Sequence, residues 1–327
     1  MIARRRFVLA LGASALAAPL LSFAQQQKTI PRVGFLVPES LSVEAPRIEA
    51  LRAGLRDHGY VEGKNIVIEI RSADENYDRL PELAAELTGL KVDVIVAFGT
   101  KAVSAAMRAT TTIPIVDPVM GDPVAFGLST SLARPGKNIT GSVQFSVEAG
   151  AKRLELLKEA FPRITRIAVL TNPANAGGPL QLQAMRTTAS ALKLDLQVLE
   201  VRNAKDLGET FAAIAQGRIE GIVVPTDSLF RANFIEIVDR AAKQRLPSIG
   251  SREFVLAGGL MGYGPDATEL YRHAAYFVDR ILKGAKPDDL PIERATRVDL
   301  VINLKTAKAL GITIPQSLLV RANDVIR

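Results

Sequence analysis

Short β-branched apolar runs alternate with amphipathic helical segments along most of the chain, and that rhythm restricts it to an α/β fold built on parallel sheets. The runs are Val33 to Val37, Ile66 to Ile70, Val92 to Phe98 and Ile113 to Val116, then Ile167 to Leu170, Leu194 to Val201, Ile219 to Val224 and Leu246 to Ile249. A strand covered on both faces reads as a continuous apolar run rather than as an alternation. Between the runs, Ile48, Leu51 and Leu55, and again Leu154, Leu157 and Phe161, recur at spacings of three and four that put each set on one helical face. Two blocks emerge, at roughly 31–116 and 165–250, each with four strands. A loop-rich stretch with Asp122-Pro123, Arg134-Pro135-Gly136 and Asn138 separates them. The prolines there fix φ and the glycine permits a turn, so this stretch is expected to brace the connection between the blocks.

The tail departs from a simple two-bead arrangement. A Gly-rich strand (Gly259 to Gly264), a helix with Leu270, Ala274, Phe277 and Ile281 on one stripe, and a strand from Val298 to Asn303 follow the second block. An economical arrangement returns the Gly-rich strand and the helix to the first lobe and the last strand to the second. Connections near Gly141, Met261 and Thr296 then make a three-segment hinge. The expected fold is α/β, with two doubly wound parallel-sheet lobes: 31–143 plus 261–296 for one, and 144–260 plus 297–327 for the other. Such a pair binds its ligand in the cleft at the carboxyl ends of the strands.

Residues 1–24 have the layout of an export signal. Arg4, Arg5 and Arg6 precede an apolar stretch from Phe7 to Leu21, and Ser22-Phe23-Ala24 supplies a small-residue cleavage pattern. The apolar part is too short to span a bilayer stably. The arginine pair followed by Phe7, Val8 and Leu9 also resembles a twin-arginine signal, so the secretory and twin-arginine routes both remain open. The expected location is periplasmic. Loss of three arginines with this segment takes the formal charge from +7 to +4, and the basic residues are scattered, which is no footprint for nucleic acid. The chain has no cysteine, so an exported form has no disulfide framework and relies on burial, which its length of 327 residues permits. No later apolar stretch approaches the ~20 residues of a membrane span.

Several phrases together resemble the substrate-binding components of ABC transporters that have the type I periplasmic-binding-protein fold, whose better-known members bind aromatic amino acids. They are Gly121-Asp122-Pro123-Val124, then Ser131-Leu132-Ala133-Arg134-Pro135-Gly136-Lys137-Asn138-Ile139-Thr140-Gly141, then Asn172-Pro173-Ala174-Asn175. Further on come Arg252-Glu253-Phe254-Val255, Ala257-Gly258-Gly259-Leu260-Met261 and the run from Leu300 to Gly311. The resemblance covers nearly the whole chain after the leader. It implies capture of a small solute and its delivery to a membrane permease driven by a separate ATPase subunit, with the protein itself a monomer.

In such a cleft the polar groups that follow each strand converge on the ligand. In the first lobe these are Glu39 and Ser40, Thr100 and Lys101, and Asp117; in the second, Asn172 and Asn175, Thr226, Asp227 and Ser228, and Ser251 and Arg252, with Phe98 and Tyr263 as apolar walls. An amino acid needs donors for its carboxylate and an acceptor for its ammonium. Ser40 and Thr100, with the helix N–H groups beside them, offer a carboxylate cradle, and Asp227 offers the acceptor. The same side chains serve equally as helix caps. Lys101 begins a helix against the dipole, which fits a second carboxylate on the solute, or a solvated lysine. Arg252 beside Glu253 reads as a structural ion pair beneath the cleft or as an anion site.

Catalytic chemistry is hard to assemble. The two histidines, His58 and His273, lie at a helix end and in a helical stripe, and there is no H-E-x-x-H and no cysteine for a metal. Gly259, Gly262 and Gly264 give G-x-x-G-x-G, which is not the dinucleotide order, and no phosphate-binding G-x-x-x-x-G-K-[ST] occurs. No cofactor is expected. The functional expectation is the solute receptor of an ABC importer, closing two lobes around an amino acid or small organic acid. The absence of Trp and the presence of only 5 Tyr argue against sugars, which stack on aromatic rings. A sensory binding module for a receptor kinase or chemoreceptor is the alternative, and a periplasmic enzyme is a third.

Overall fold

The computed structural model describes residues 30–144, 146–295 and 297–327. The export signal expected at residues 1–24 and Thr296 of the expected hinge lie outside these. The first half runs β1 (Arg32–Val37), α1 (Leu41–Asp57), β2 (Val67–Ser72), α2 (Leu80–Gly89), β3 (Val94–Ala97), α3 (Thr100–Ala109), β4 (Ile115–Met120) and β5 (Ile139–Val143). Next come α4 (Ser146–Ala160), β6 (Arg166–Thr171), α5 (Gly178–Ala191), β7 (Asp195–Glu200), α6 (Leu207–Gln216), β8 (Gly221–Val223), α7 (Ser228–Ala232), α8 (Phe234–Lys243), β9 (Ser248–Gly250) and α9 (Arg252–Leu256). The tail adds β10 (Met261–Gly264), α10 (Ala267–Leu282), β11 (Glu293–Arg294), β12 (Asp299–Asn303), α11 (Leu304–Leu310), α12 (Gln316–Arg321) and β13 (Asp324–Ile326).

Two sheets result. The first has the order β11-β5-β4-β3-β1-β2 and is parallel throughout. The second has the order β13-β12-β10-β9-β8-β6-β7 and is parallel except where β10 meets β12. Helices cover both faces of each, as the apolar strands require. In the first sheet Val33, Phe35, Val94 and Val96 face a layer holding Leu51, Leu55, Tyr271 and Phe277, whereas Leu36, Ile95 and Ala97 face Leu83, Leu87 and Val103. The second sheet alternates in the same way: Ile167, Val169 and Val223 pack with Leu154, Leu157 and Met185, and Ala168, Leu170 and Ile222 with Phe211, Phe230 and Ile237. The period of two along each strand builds two core layers per lobe.

The tail helix α10 crosses to the first lobe and lies on α1. Gly54 makes that crossing possible, because a Cβ there would stand 2.1 Å from the Arg272 carbonyl oxygen. The strand before it behaves differently from the expectation. Sequence reasoning sends Gly259–Gly264 to the first lobe with the helix, but β10 stays in the second sheet, where Met261 pairs with Ile249 of β9 and Ile302 of β12. Met261 is fully buried in the core of that sheet, and Gly262 lies so close to α9 that a Cβ would be 2.4 Å from the Ser251 carbonyl oxygen. The chain therefore changes lobes after Gly264. The other two crossings follow β5 and separate β11 from β12. Among the described residues no helix is long and apolar enough to cross a membrane.

Candidate ligand-binding cleft

The carboxyl ends of β1, β3 and β4 face those of β6, β8 and β9 across a cleft lined by residues of both lobes. The lobes meet closely here: a Cβ on Gly99, which caps α3 at a φ of +82°, would sit 3.6 Å from the Ser228 hydroxyl across the cleft. The cavity volume is about 100 Å³. Phe98, Tyr77, Phe126 and Leu128 give it apolar walls, and Asp117, Gln144, Asn172, Asn175, Gln181 and Thr226 supply polar groups.

Of the residues singled out in the sequence, Phe98, Thr100, Lys101, Asp117, Asn172, Asn175, Thr226, Asp227, Ser228 and Ser251 line this cleft. Glu39, Ser40, Arg252 and Tyr263 do not. The Ser40 hydroxyl lies 3.1 Å from that of Ser42 at the exposed start of α1. Tyr263 packs its ring against the core of the second lobe. Arg252 does not pair with Glu253; it reaches Asp324 at 3.2 Å, Asp266 at 3.4 Å and Asp299 at 3.9 Å. Glu253 belongs to another cluster, described below. Lys101 is exposed, its ammonium 4.5 Å from the centre of the Tyr77 ring. Both histidines lie outside the cleft.

The two strand-end acids are held differently. Asp227 accepts from the Asn175 side chain at 2.7 Å, from the Asn172 side chain at 3.2 Å to each oxygen, and from Leu229 N–H at 2.8 Å as the cap of α7. Burial raises its pKa, opposed by those amide donors. The acceptor capacity of its two oxygens is therefore largely taken up. Asp117 accepts only from Val119 N–H, at 2.9 Å, and has no cationic partner among the described residues. It is 3 % exposed, and burial pushes its carboxyl up to about 7 despite that one donor. Gly141 of β5 places it: at φ +141°, a Cβ there would be 2.0 Å from the Asp117 carbonyl oxygen. The register shift between β4 and β5 falls between Asp117 and Met120.

Sequence reasoning missed Arg47, Tyr77, Gln144, Gln181 and Arg231. Gln144 directly follows β5, whose Ile-Thr-Gly-Ser-Val sequence reads as loop; recognising that strand would have exposed Gln144 by the same strand-end rule. Tyr77 stands five residues beyond β2, and Arg47 and Arg231 lie inside their helices, where the rule does not look. The two arginines join a buried cluster across the seam. Arg47 grips Glu253 through contacts of 2.7, 3.0 and 3.1 Å and lies 3.5 Å from Glu44; Arg231 pairs with Glu39 at 2.6 Å and with Glu44. Burial disfavours the charge on Glu253, but Arg47 and Arg231 bring its pKa below the usual value, while burial holds Glu44 above it. Phe98 stands 4.7 Å from the Arg47 guanidinium and 5.5 Å from that of Arg231.

Two parallel-dominated α/β lobes, three crossings and a cleft at the strand ends define the fold of type I periplasmic binding proteins. Residues 41–326 match the ABC transporter substrate binding protein family, and the chain belongs to it. It is 28% identical over 274 residues to a tyrosine-binding protein of Clostridioides difficile, covering 82% of this chain and 78% of that one. Among solved structures it resembles an ABC domain from Streptococcus pneumonia in complex with L-Trp, with 25% identity and a TM-score of 0.84 over 90% of this chain and 99% of that one. A ligand-free, open substrate binding protein with adhesive properties from Clostridium difficile has 26% identity and a TM-score of 0.66 over 91% and 99%. Identity is nearly equal in the two pairs, so the gap in TM-score is one of geometry.

Proposed function

We propose that the chain is the exported solute receptor of an ABC importer, closing its lobes on a small zwitterionic amino acid and handing it to a membrane permease served by a separate ATPase. The first lobe comprises 31–143 with the segment from α10 to β11, and the second comprises the rest from α4 onward. The observation that carries the ligand class is Asp117, a buried acid on the cleft wall without a cation of its own. A ligand ammonium supplies that cation. The aromatic walls at Phe98, Tyr77 and Phe126 favour an apolar or aromatic side chain, and the closer likeness to the L-Trp complex than to the open relative supports a closed arrangement. Binding by contacts to both lobes shifts an open-to-closed equilibrium, and the closed form is what the permease recognises. The role is capture without turnover, in the periplasm.

Thermal unfolding of residues 25–327 against amino acids, organic acids and sugars tests this, because a ligand that binds only the folded state raises the midpoint. The chain has no tryptophan, so binding of L-tryptophan is also read by the change in its fluorescence, with no tryptophan emission from the protein. Asp117→Asn is expected to weaken amino-acid binding by about a hundredfold, near 3 kcal/mol, while raising the midpoint of the empty protein at pH 8 by removing a buried charge. An unchanged affinity sinks the ammonium assignment.

A further inference from the structure

Arg153, on α4 of the second lobe, is 1 % exposed, yet among the described residues it has no carboxylate partner. Its guanidinium donates only to neutral oxygens: the Tyr263 carbonyl at 2.9 Å, the Val224 carbonyl at 3.4 Å and the Thr226 hydroxyl at 3.2 Å. Burial without a counterion lowers its pKa to about 10, which leaves it charged at neutral pH. A buried cation bound only by dipoles retains an uncompensated field, and the low dielectric around it makes that field felt nearby. Thr226 passes the field on. Its oxygen is occupied as an acceptor from Arg153, and among the described residues its own proton has no acceptor, while Thr226 lines the cleft. The neighbouring Asp227 is engaged by Asn172, Asn175 and Leu229.

We propose that Thr226, backed by Arg153 as a positioning residue, forms the anion subsite of the cleft and receives the carboxylate of the ligand. Lone buried charges of opposite sign then stand on opposite sides: the acid Asp117 on the first lobe, the cation Arg153 behind the second. A zwitterion bridging them draws the lobes together and is oriented with its ammonium toward the first lobe. This rests on the amino-acid reading for its ammonium end only; the carboxylate end stands on Arg153 and Thr226 alone.

Calorimetric titration of the mature protein with four probes decides it: L-tyrosine, L-tryptophan, L-tyrosinamide and 3-phenylpropanoate. The wild type is expected to prefer L-tyrosine to the amide. Thr226→Val and Arg153→Met are each expected to shrink that preference about tenfold or more, and Thr226→Ser to restore it, since only the hydroxyl matters. A general loss of structure in Arg153→Met lowers affinity for both ligands together, so the ratio separates it from a lost subsite; Thr226→Val provides the milder change. If the two amino acids fail to bind but 3-phenylpropanoate binds in a Thr226-dependent way, the subsite stands and the zwitterion reading falls. A preference unchanged in Thr226→Val, or no binding of any carboxylate probe to the wild type, overturns the proposal.

Discussion

Buried charge occurs in two forms in this molecule. At the seam between the lobes, Glu39, Glu44, Arg47, Arg231 and Glu253 pair with one another, three carboxyls against two guanidiniums, with Arg47 and Arg231 each joining both lobes. On the cleft walls and behind them, Asp117 and Arg153 have no partner of opposite sign among the described residues. Asp117 and Arg153 are buried about as deeply as Glu39, Glu44 and Arg47, so depth alone does not separate the roles. What separates them is whether the protein itself supplies a partner of opposite sign. A paired cluster costs its desolvation once and then fixes geometry, here that of lobe against lobe. An incomplete charge is a standing cost that a ligand of the right sign removes on binding, and such costs are characteristic of functional sites.

The harshest break of this comparison is at the seam. Arg231→Met leaves Glu39 and Glu44, both fully buried, without their shared guanidinium. The expected loss is about 3–5 kcal/mol of stability in urea unfolding at pH 7. A loss below about 1 kcal/mol indicates that the lobes open to solvate the carboxylates at little cost, and the cluster is then no latch.

The next break is by pH, and at Asp117 affinity and stability respond with different signs. The Asp117 carboxyl sits at about 7 in the empty protein, so below that pH it must lose a proton before it receives an ammonium. Affinity for an amino acid is therefore expected to fall about tenfold from pH 8 to pH 6, near 1.4 kcal/mol. The stability of the empty protein moves the other way. Because the folded value lies above the unfolded one, the folded state holds the extra proton between roughly pH 4 and 7; this group lowers stability as pH rises through that window and is flat above it. From pH 8 to pH 6 its contribution is a gain of about 1.4 kcal/mol. Both slopes vanish together in Asp117→Asn if they have one source, and a slope in affinity that survives the substitution assigns the proton elsewhere.

The fold was legible because the strands announce themselves as apolar runs, and the sheet layers follow from their period of two. The exceptions have local causes. In β5, Thr140, Gly141 and Ser142 interrupt the run, and the strand exists through its pairing with β4. In β10, four residues with two glycines carry little pattern, and the choice of sheet was made by the packing of Met261. The site was legible in position more than in role. The strand-end rule located Asp117, Thr226 and Asp227, but nothing local distinguishes an acid saturated by Asn172 and Asn175 from one that stands alone. Charge partners are set by the fold: Glu44 and Arg231 are 187 positions apart, and Arg47 and Glu253 are 206 apart. Arg153 follows the same logic, since within α4 it is one more basic residue beside the Leu154 and Leu157 stripe.

Lys101 gives the comparison its finest edge. It resembles Arg153 in lacking a carboxylate partner among the described residues, and it lines the cleft itself, but water reaches it and the Tyr77 ring faces it at 4.5 Å. If an unpaired charge matters to the ligand only when burial prevents water from completing it, Lys101→Ala is expected to change amino-acid affinity by less than about threefold, the scale of an exposed cation–π contact or surface ion pair. The change should shrink further in 0.5 M salt, where the Debye length is only about 4 Å. A loss beyond about tenfold that persists in salt makes Lys101 a carboxylate ligand in its own right. The anion would then be shared between the lobes, and exposure would no longer divide the charges that wait for a ligand from those that do not.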